Sequence, residues 1–212
     1  MHPAAWLAWL RPIMDSDFVG NYLNSGIHHV ITGWDHLLFA SALVLALTGF
    51  WEVFKIIGIF TVAHSLSVVA TALHGSELMP SWFVEPVIGG SIVFVALENI
   101  LRRKISLNPQ RILVVFLLGL VHGMGFGGAL LKDLQGIEGN AAAWAIAAFC
   151  IGVEAGHLCV VAPLSGALKV GRDAAGEKFS QAVLQWGSAL IALGGCYYFI
   201  TAVRAAMGSA GE

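Results

Sequence analysis

Long apolar stretches are the feature that most constrains how this chain can fold. A helix needs about 20 mostly apolar residues to cross the hydrocarbon core of a bilayer, and six windows of the sequence have that length and composition. They lie at residues 27–50, 54–74, 83–101, 110–131, 141–168 and 182–206. The sequence therefore predicts an all-α integral membrane protein with six transmembrane helices in one bundle.

The content of charged residues supports this class and excludes others. Only 11% of the 212 residues are charged and 58% are hydrophobic, whereas a soluble domain carries about 25% charged residues. The net charge of −2 and the lack of a basic stripe argue against a nucleic-acid partner. The glycine-rich run at 123–128 is not followed by Gly-Lys-Ser/Thr, so no ATP-binding loop is expected.

The first 25 residues precede the first apolar window and are expected to behave differently. They lack a charged region ahead of a long apolar run, so they do not resemble a signal peptide. Trp6 and Trp9 are of the type that favours the membrane interface. We expect residues 1–25 to form a short interfacial helix, followed by a six-helix transmembrane domain over residues 26–212.

The distribution of lysine and arginine predicts the orientation. Basic residues are concentrated after the third and fifth windows, at Arg102, Arg103, Lys104, Arg111, Lys169, Arg172 and Lys178. The connection between the second and third windows has none. Because basic loops remain in the cytoplasm, both termini are predicted to face outward, in the inner (cytoplasmic) membrane of a bacterium.

Ionisable side chains interrupt these windows at similar depths. Each costs roughly 2.5–3.5 kcal/mol near a helix centre, so several at one depth indicate a site. At about 1.5 Å of rise per residue, four of them lie near the middle of their windows, namely His36, His64, His122 and Glu154. Imidazoles and carboxylates bind divalent transition metals, so a metal site is expected near the midplane.

Neighbouring residues extend the predicted site. His29 precedes His36 by two helical turns, and Asp35 can act as a ligand or can fix the imidazole tautomer. Cys150 and His157 flank Glu154 at helical spacing. The predicted metal ligands are His29, Asp35, His36, His64, His122, Glu154 and His157.

Polar residues near the ends of the windows are assigned to entry and exit. Outer residues would collect cations, and inner residues would receive an ion leaving the centre. This secondary set comprises His28, Glu85, Glu98, Asn99 and Cys150. Two structural alternatives stay open, since Glu98 can pair with Arg102 four residues later and Cys150 can serve as a small buried side chain.

Five stretches, in this order, resemble the HupE/UreJ family of membrane proteins associated with nickel hydrogenases and ureases. They are GIHHVITGWDHLLF (26–39), FTVAHSLSV (60–68), VEPVIGGSIVFVALEN (84–99), LLGLVHGMGFGGALL (117–131) and FCIGVEAGHL (149–158). The resemblance implies a secondary nickel permease in which His29, Asp35 and His36 are candidates for binding the metal. The family's other polar motif positions correspond to His64, Glu98, His122 and Glu154.

The chain departs from the resemblance at two positions in the fifth window. Relatives commonly have an asparagine and a glutamine where this chain has Cys150 and His157. Both replacements provide better ligands for transition metals, and sulfur favours softer ions. Nickel is therefore the metal that the resemblance implies, with cobalt, zinc and copper as alternatives.

The predicted function is ATP-independent transport of a divalent transition metal, as in nickel uptake. The alternative is an intramembrane zinc- or copper-dependent hydrolase, in which Asp35 or Glu154 serves as the general base. A permease should release its metal during purification, and an enzyme should retain it. Whether the chain forms a homo-oligomer or delivers the metal to an accessory protein is left open.

Overall fold

Every regular element is an α-helix in the part of the chain that the structure describes. This computed structural model describes residues 10, 12, 14–102, 106–137 and 139–209. Its helices are α1 (Ser16–Thr32), α2 (Trp34–Ala46), α3 (Phe50–His74), α4 (Ser81–Leu101), α5 (Pro109–Asp133) and α6 (Asn140–Ser209). The predicted all-α class is confirmed.

Several of these helices can cross a membrane. The four helices α3 to α6 are long and apolar enough, and α1 with α2 meets the same criterion as one bent span. Large apolar side chains face outward, such as Leu73 at 82% exposure and Trp186 at 74%. An extensive exposed apolar surface suits a lipid environment. Four to five candidate spans, by length and composition, are thus described.

The first predicted span is not one continuous helix. α1 and α2 meet at Gly33 with a bend of 69°, and Gly33 has extended backbone angles (φ −76°, ψ 96°). A Cβ atom at this position would lie 2.7 Å from the carbonyl oxygen of His29 and 2.9 Å from the His36 ring. The prediction that one continuous helix face carries both histidines is therefore wrong, because glycine interrupts the helix and lets the chain turn tightly.

α6 is 70 residues long, but its backbone is not helical at Gly176 (φ 73°, ψ −163°). Glycine adopts such angles without the steric cost that other residues incur. A straight helix of this length would extend about 105 Å, several times the ~30 Å hydrocarbon core. The break separates a first arm (residues 140–175) from a second arm (residues 177–209).

The two arms of α6 run in opposite directions past the bent pair. In the first arm, Gly152 lies against Leu23, and a Cβ on Gly156 would be 2.9 Å from Val30. The first arm is therefore parallel to α1. In the second arm, Gly187 lies against Leu45 and Gly194 against Leu38, so that arm is antiparallel to α2.

Glycines also bring α5 close to α3. Gly119, Gly123 and Gly127 recur every four residues on one face of α5. A Cβ on Gly119 would lie 2.7 Å from the carbonyl oxygen of Phe60, and one on Gly123 would overlap the carbonyl oxygen of His64. Small residues at such a contact let two helix backbones approach in a membrane. This packing places His122 of α5 beside α3.

Some predictions concern residues outside the described part of the chain. The prediction of an interfacial helix rests on Trp6 and Trp9, which lie outside the described part, as do Arg103 and Lys104. α1 begins at Ser16, where the side chain of Asp15 accepts hydrogen bonds from the first backbone N–H groups of the helix. The interfacial helix and the domain boundary after residue 25 stay predictions.

Candidate metal site

Five histidines from five helices converge in one place, which we call the histidine cluster. They are His29 (α1), His36 (α2), His64 (α3), His122 (α5) and His157 (first arm of α6). His36 is central, since its ring centroid lies 4.6 Å from that of His29, 5.3 Å from His64, 5.7 Å from His122 and 5.5 Å from His157. All but His29, which is partly buried, are fully buried.

Three members of the cluster form its tightest group. One ring nitrogen from each of His29, His36 and His64 lies within 4.8 Å of the others. Imidazole nitrogens bound to one tetrahedral metal at about 2.0–2.1 Å lie about 3.4 Å apart. Small side-chain rotations would therefore bring these three nitrogens to coordination distance.

Many nitrogens of the cluster are buried without a hydrogen-bond partner. They are His29 Nε2, His36 Nδ1, His64 Nδ1, His64 Nε2, His122 Nε2 and His157 Nε2. Each unsatisfied buried polar group costs about 1–3 kcal/mol, and proteins seldom leave such groups unpaired. A concentration of them in one place indicates a ligand that these nitrogens would bind.

Two histidines of the cluster, His122 and His157, are oriented by hydrogen bonds of their Nδ1 atoms. The Nδ1–H of His122 donates to the carbonyl oxygen of Leu118 over 2.9 Å, which leaves its Nε2 unprotonated in the neutral ring. Nδ1 of His157 shares a hydrogen bond of 3.1 Å with the hydroxyl of Thr61. Such partners fix the tautomer and the ring orientation of histidines that bind metals.

Two aromatic pairs enclose the cluster. On one side, Phe126 and Phe149 stack with parallel rings 4.9 Å apart, and the Phe126 ring lies 3.9 Å from His29. On the other side, Phe39 lies 4.8 Å from Phe60, and the two rings lie 4.8 Å and 5.1 Å from His122. Beyond Phe39 and Phe60 lies the fully buried apolar core of α2 and α3. Aromatic rings therefore pack directly against His29 and His122.

The predicted carboxylates lie at the edge of the cluster. Asp35 is partly buried and interacts electrostatically with His29 and His122. Glu154 is partly buried, and one of its oxygens, Oε2, has no hydrogen-bond partner. The tightest group contains histidines only, so the part that either carboxylate plays in metal binding stays a prediction.

Residues predicted for entry and exit lie outside the cluster. His28 and Glu85 are exposed. Asn99 is buried, and its side-chain amide donates to the carbonyl of Ala42 and to the hydroxyl of Ser188. It therefore ties α4 to α2 and to the second arm of α6, and a role in ion exit stays a prediction.

Glu98 forms the ion pair with Arg102 that is the structural alternative to a role in ion exit. Its carboxylate lies 3.5 Å from Arg102 and 2.9 Å from Arg111. The sequence does not predict the contact with Arg111 of α5, because the two residues lie on different helices.

The sequence also does not identify three side chains that contact the histidine cluster, namely Thr61, Phe60 and Phe126. Hydroxyls and aromatic rings are ordinary in apolar helices, so they give no signal of a site.

Apolar helices that converge on buried imidazoles define a multi-pass membrane protein with a candidate site for a transition metal. A model of the HupE/UreJ protein family matches residues 10–202. The chain therefore belongs to the HupE/UreJ family, as the resemblance implied. No curated protein and no solved structure matches it.

Proposed function

We propose that this protein is a secondary, ATP-independent permease for a divalent transition metal, with nickel as the ion that its family suggests. The observation that carries the proposal is the histidine cluster, in which five imidazoles from five helices meet inside an apolar bundle. Buried ionisable groups are costly at membrane depth and are usually functional where they occur.

The donor set suits this cargo. Neutral imidazole binds nickel, cobalt, zinc and copper, whereas magnesium and calcium prefer oxygen ligands. Asp35 would supply negative charge close to His29 and His122. His36 contacts every other member of the cluster, so we assign it as the central ligand.

The fold supports six crossings with alternating direction. The bent pair α1–α2 supplies one crossing, α3 to α5 supply three, and the arms of α6 supply two when Gly176 is taken as the turn between them. Arg102 and Arg111 then lie on the same side as Arg172. By the excess of basic residues this side is cytoplasmic, both termini face outward, and the membrane is the bacterial inner membrane.

The enclosed cluster suggests how transport proceeds. The ion would be held among the histidines while Phe126 and Phe149 close one side and Phe39 and Phe60 close the other. Movement of one aromatic pair at a time would give access from one side of the membrane only. The bend at Gly33 lies between His29 and His36, and interrupted helices of this kind form ion sites in secondary transporters.

Uptake of nickel by intact cells tests the proposal. We expect His36→Ala to reduce accumulation at least tenfold (about 1.4 kcal/mol), because it removes the central imidazole. His74→Ala is the matched control, since His74 is exposed and pairs with Ser76 outside the cluster. Unchanged accumulation with His36→Ala would contradict transport through the cluster. Zinc or copper retained tightly through purification would favour the hydrolase instead.

A further inference from the structure

A cavity of about 910 Å³ lies beside the histidine cluster, between α3 and the first arm of α6. It extends along α3 from Gly58 to Leu73 and reaches the α5–α6 connection at Leu134 and Ile137. Its walls are mostly aliphatic. The cavity thus connects the depth of His64 with the end of the bundle that the proposed topology places outside the cell.

Four polar side chains face this cavity, and we call them the polar strip. Thr61 and Ser65 come from α3, and Cys150 and Glu154 come from α6. Each pair is spaced by four residues and so shares one helix face. The side chains of Ser65 and Cys150 interact with each other, so the two helix faces meet at the cavity.

The polar strip contains a carboxylate that lacks a partner. Oε2 of Glu154 is buried and makes no hydrogen bond, and the ion pairs among the described residues involve Glu98 rather than Glu154. A carboxylate inside a membrane span is costly unless a cation or a donor accompanies it. The walls of the cavity supply no cation among the described residues, so we expect the partner of this carboxylate to be a bound cation.

The polar strip is linked directly to the histidine cluster. The hydroxyl of Thr61, which lines the cavity, shares a hydrogen bond of 3.1 Å with Nδ1 of His157. His157 is fully buried, and its ring centroid lies 5.5 Å from that of His36. An ion at the polar strip would therefore be one side chain away from the cluster.

We propose that the polar strip is a second metal position, in which Cys150 and Glu154 bind a partly hydrated divalent transition-metal ion before it enters the histidine cluster. The thiol loses its proton to water as the metal–sulfur bond forms. Two strong protein ligands with water in the remaining positions give a weak, exchangeable site, as a transit position requires. Sulfur selects borderline and soft ions such as nickel, cobalt, zinc and cadmium over magnesium. This inference rests on the proposed function.

Titration of the purified full-length protein with Co²⁺ tests this position, because thiolate coordination produces a sulfur-to-cobalt charge-transfer band. We expect two equivalents of Co²⁺ per chain, one of which produces the band. Cys150→Ser should abolish the band and lower the binding from two Co²⁺ ions per chain to one. Glu154→Gln should weaken the affinity of the second position for Co²⁺ at least about tenfold. The matched controls are Cys159→Ser and Cys196→Ser, whose thiols are exposed on the same helix; both should retain the band.

The outcomes separate this inference from the proposed function. A single equivalent without a thiolate band in the unmodified protein would overturn the second position and leave the histidine cluster intact. A band that survives Cys150→Ser would overturn it as well. His36→Ala should abolish binding of the Co²⁺ ion at the histidine cluster and leave the thiolate band unchanged. Absence of any Co²⁺ binding would overturn both the second position and the metal site of the proposed permease.

Discussion

The rings of His29 and His36 lie 4.6 Å apart and nearly perpendicular, across the bend at Gly33. They belong to different helices, although only seven residues separate them. A continuous helix would place them about 10 Å apart along its axis. The bend therefore brings the imidazoles of His29 and His36 next to each other.

Gly33→Ala should weaken metal binding about tenfold, or ~1.4 kcal/mol. The added Cβ would lie 2.7 Å from the His29 carbonyl oxygen and 2.9 Å from the His36 ring, so both side chains must move. Gly166→Ala is the control, because no atom lies within 4 Å of a Cβ at that position. Isothermal titration with Ni²⁺ measures the change, and equal affinity in the two variants would refute the role of the bend.

Phe126→Leu should speed metal exchange. The Phe126 ring covers His29 at 3.9 Å, and a smaller, non-aromatic side chain would admit water and chelator to the cluster. Lowering the barrier by about 1.4 kcal/mol would accelerate release tenfold. Stopped-flow extraction of Co²⁺ into a chelator measures the rate. Phe94→Leu is the control, because Phe94 is exposed on α4; the same rate in both variants would argue against gating by Phe126.

Thr61→Val should reduce metal affinity about 10- to 100-fold, which is the usual effect of losing the partner that orients a histidine ligand. Valine preserves the shape of the side chain and removes the hydroxyl that holds His157. Thr201→Val should have no effect, because Thr201 is exposed on the second arm of α6. An unchanged dissociation constant for Thr61→Val would show that His157 needs no such support.

Arg111→Gln should lower the free energy of unfolding by about 3 kcal/mol, because it leaves a partly buried Glu98 carboxylate without its main partner. Arg102→Gln should cost about 0–1 kcal/mol, since the Arg102 side chain is 61% exposed. Chemical denaturation in detergent compares the two. Similar losses for both arginines would mean that Arg111 does not anchor α4 to α5.

The histidines could be predicted from the sequence because of their surroundings. His36, His64 and His122 each interrupt an apolar window, and placing them at that depth has a physical cost that only a site would justify. The sequence could not predict which side chains near Glu154 join the histidine cluster and which line the cavity. Cys150, Glu154 and His157 share one helix face, as their spacing predicts, but His157 joins the cluster while Cys150 and Glu154 line the cavity.

The sequence by itself determined the membrane class and most of the spans, and it predicted the five histidines as candidate ligands, because hydrophobicity and the cost of burying polar groups are properties of residue type. Tertiary structure alone decided which of the 25 glycines matter. Gly33 is required at the bend and Gly123 where two helix backbones approach closely, while a Cβ at Gly58 or Gly166 would meet nothing within 4 Å. It also decided that Phe39, Phe60 and Phe126 enclose the cluster, since the rotation of each helix, rather than residue type, directs a ring toward the histidines or toward lipid.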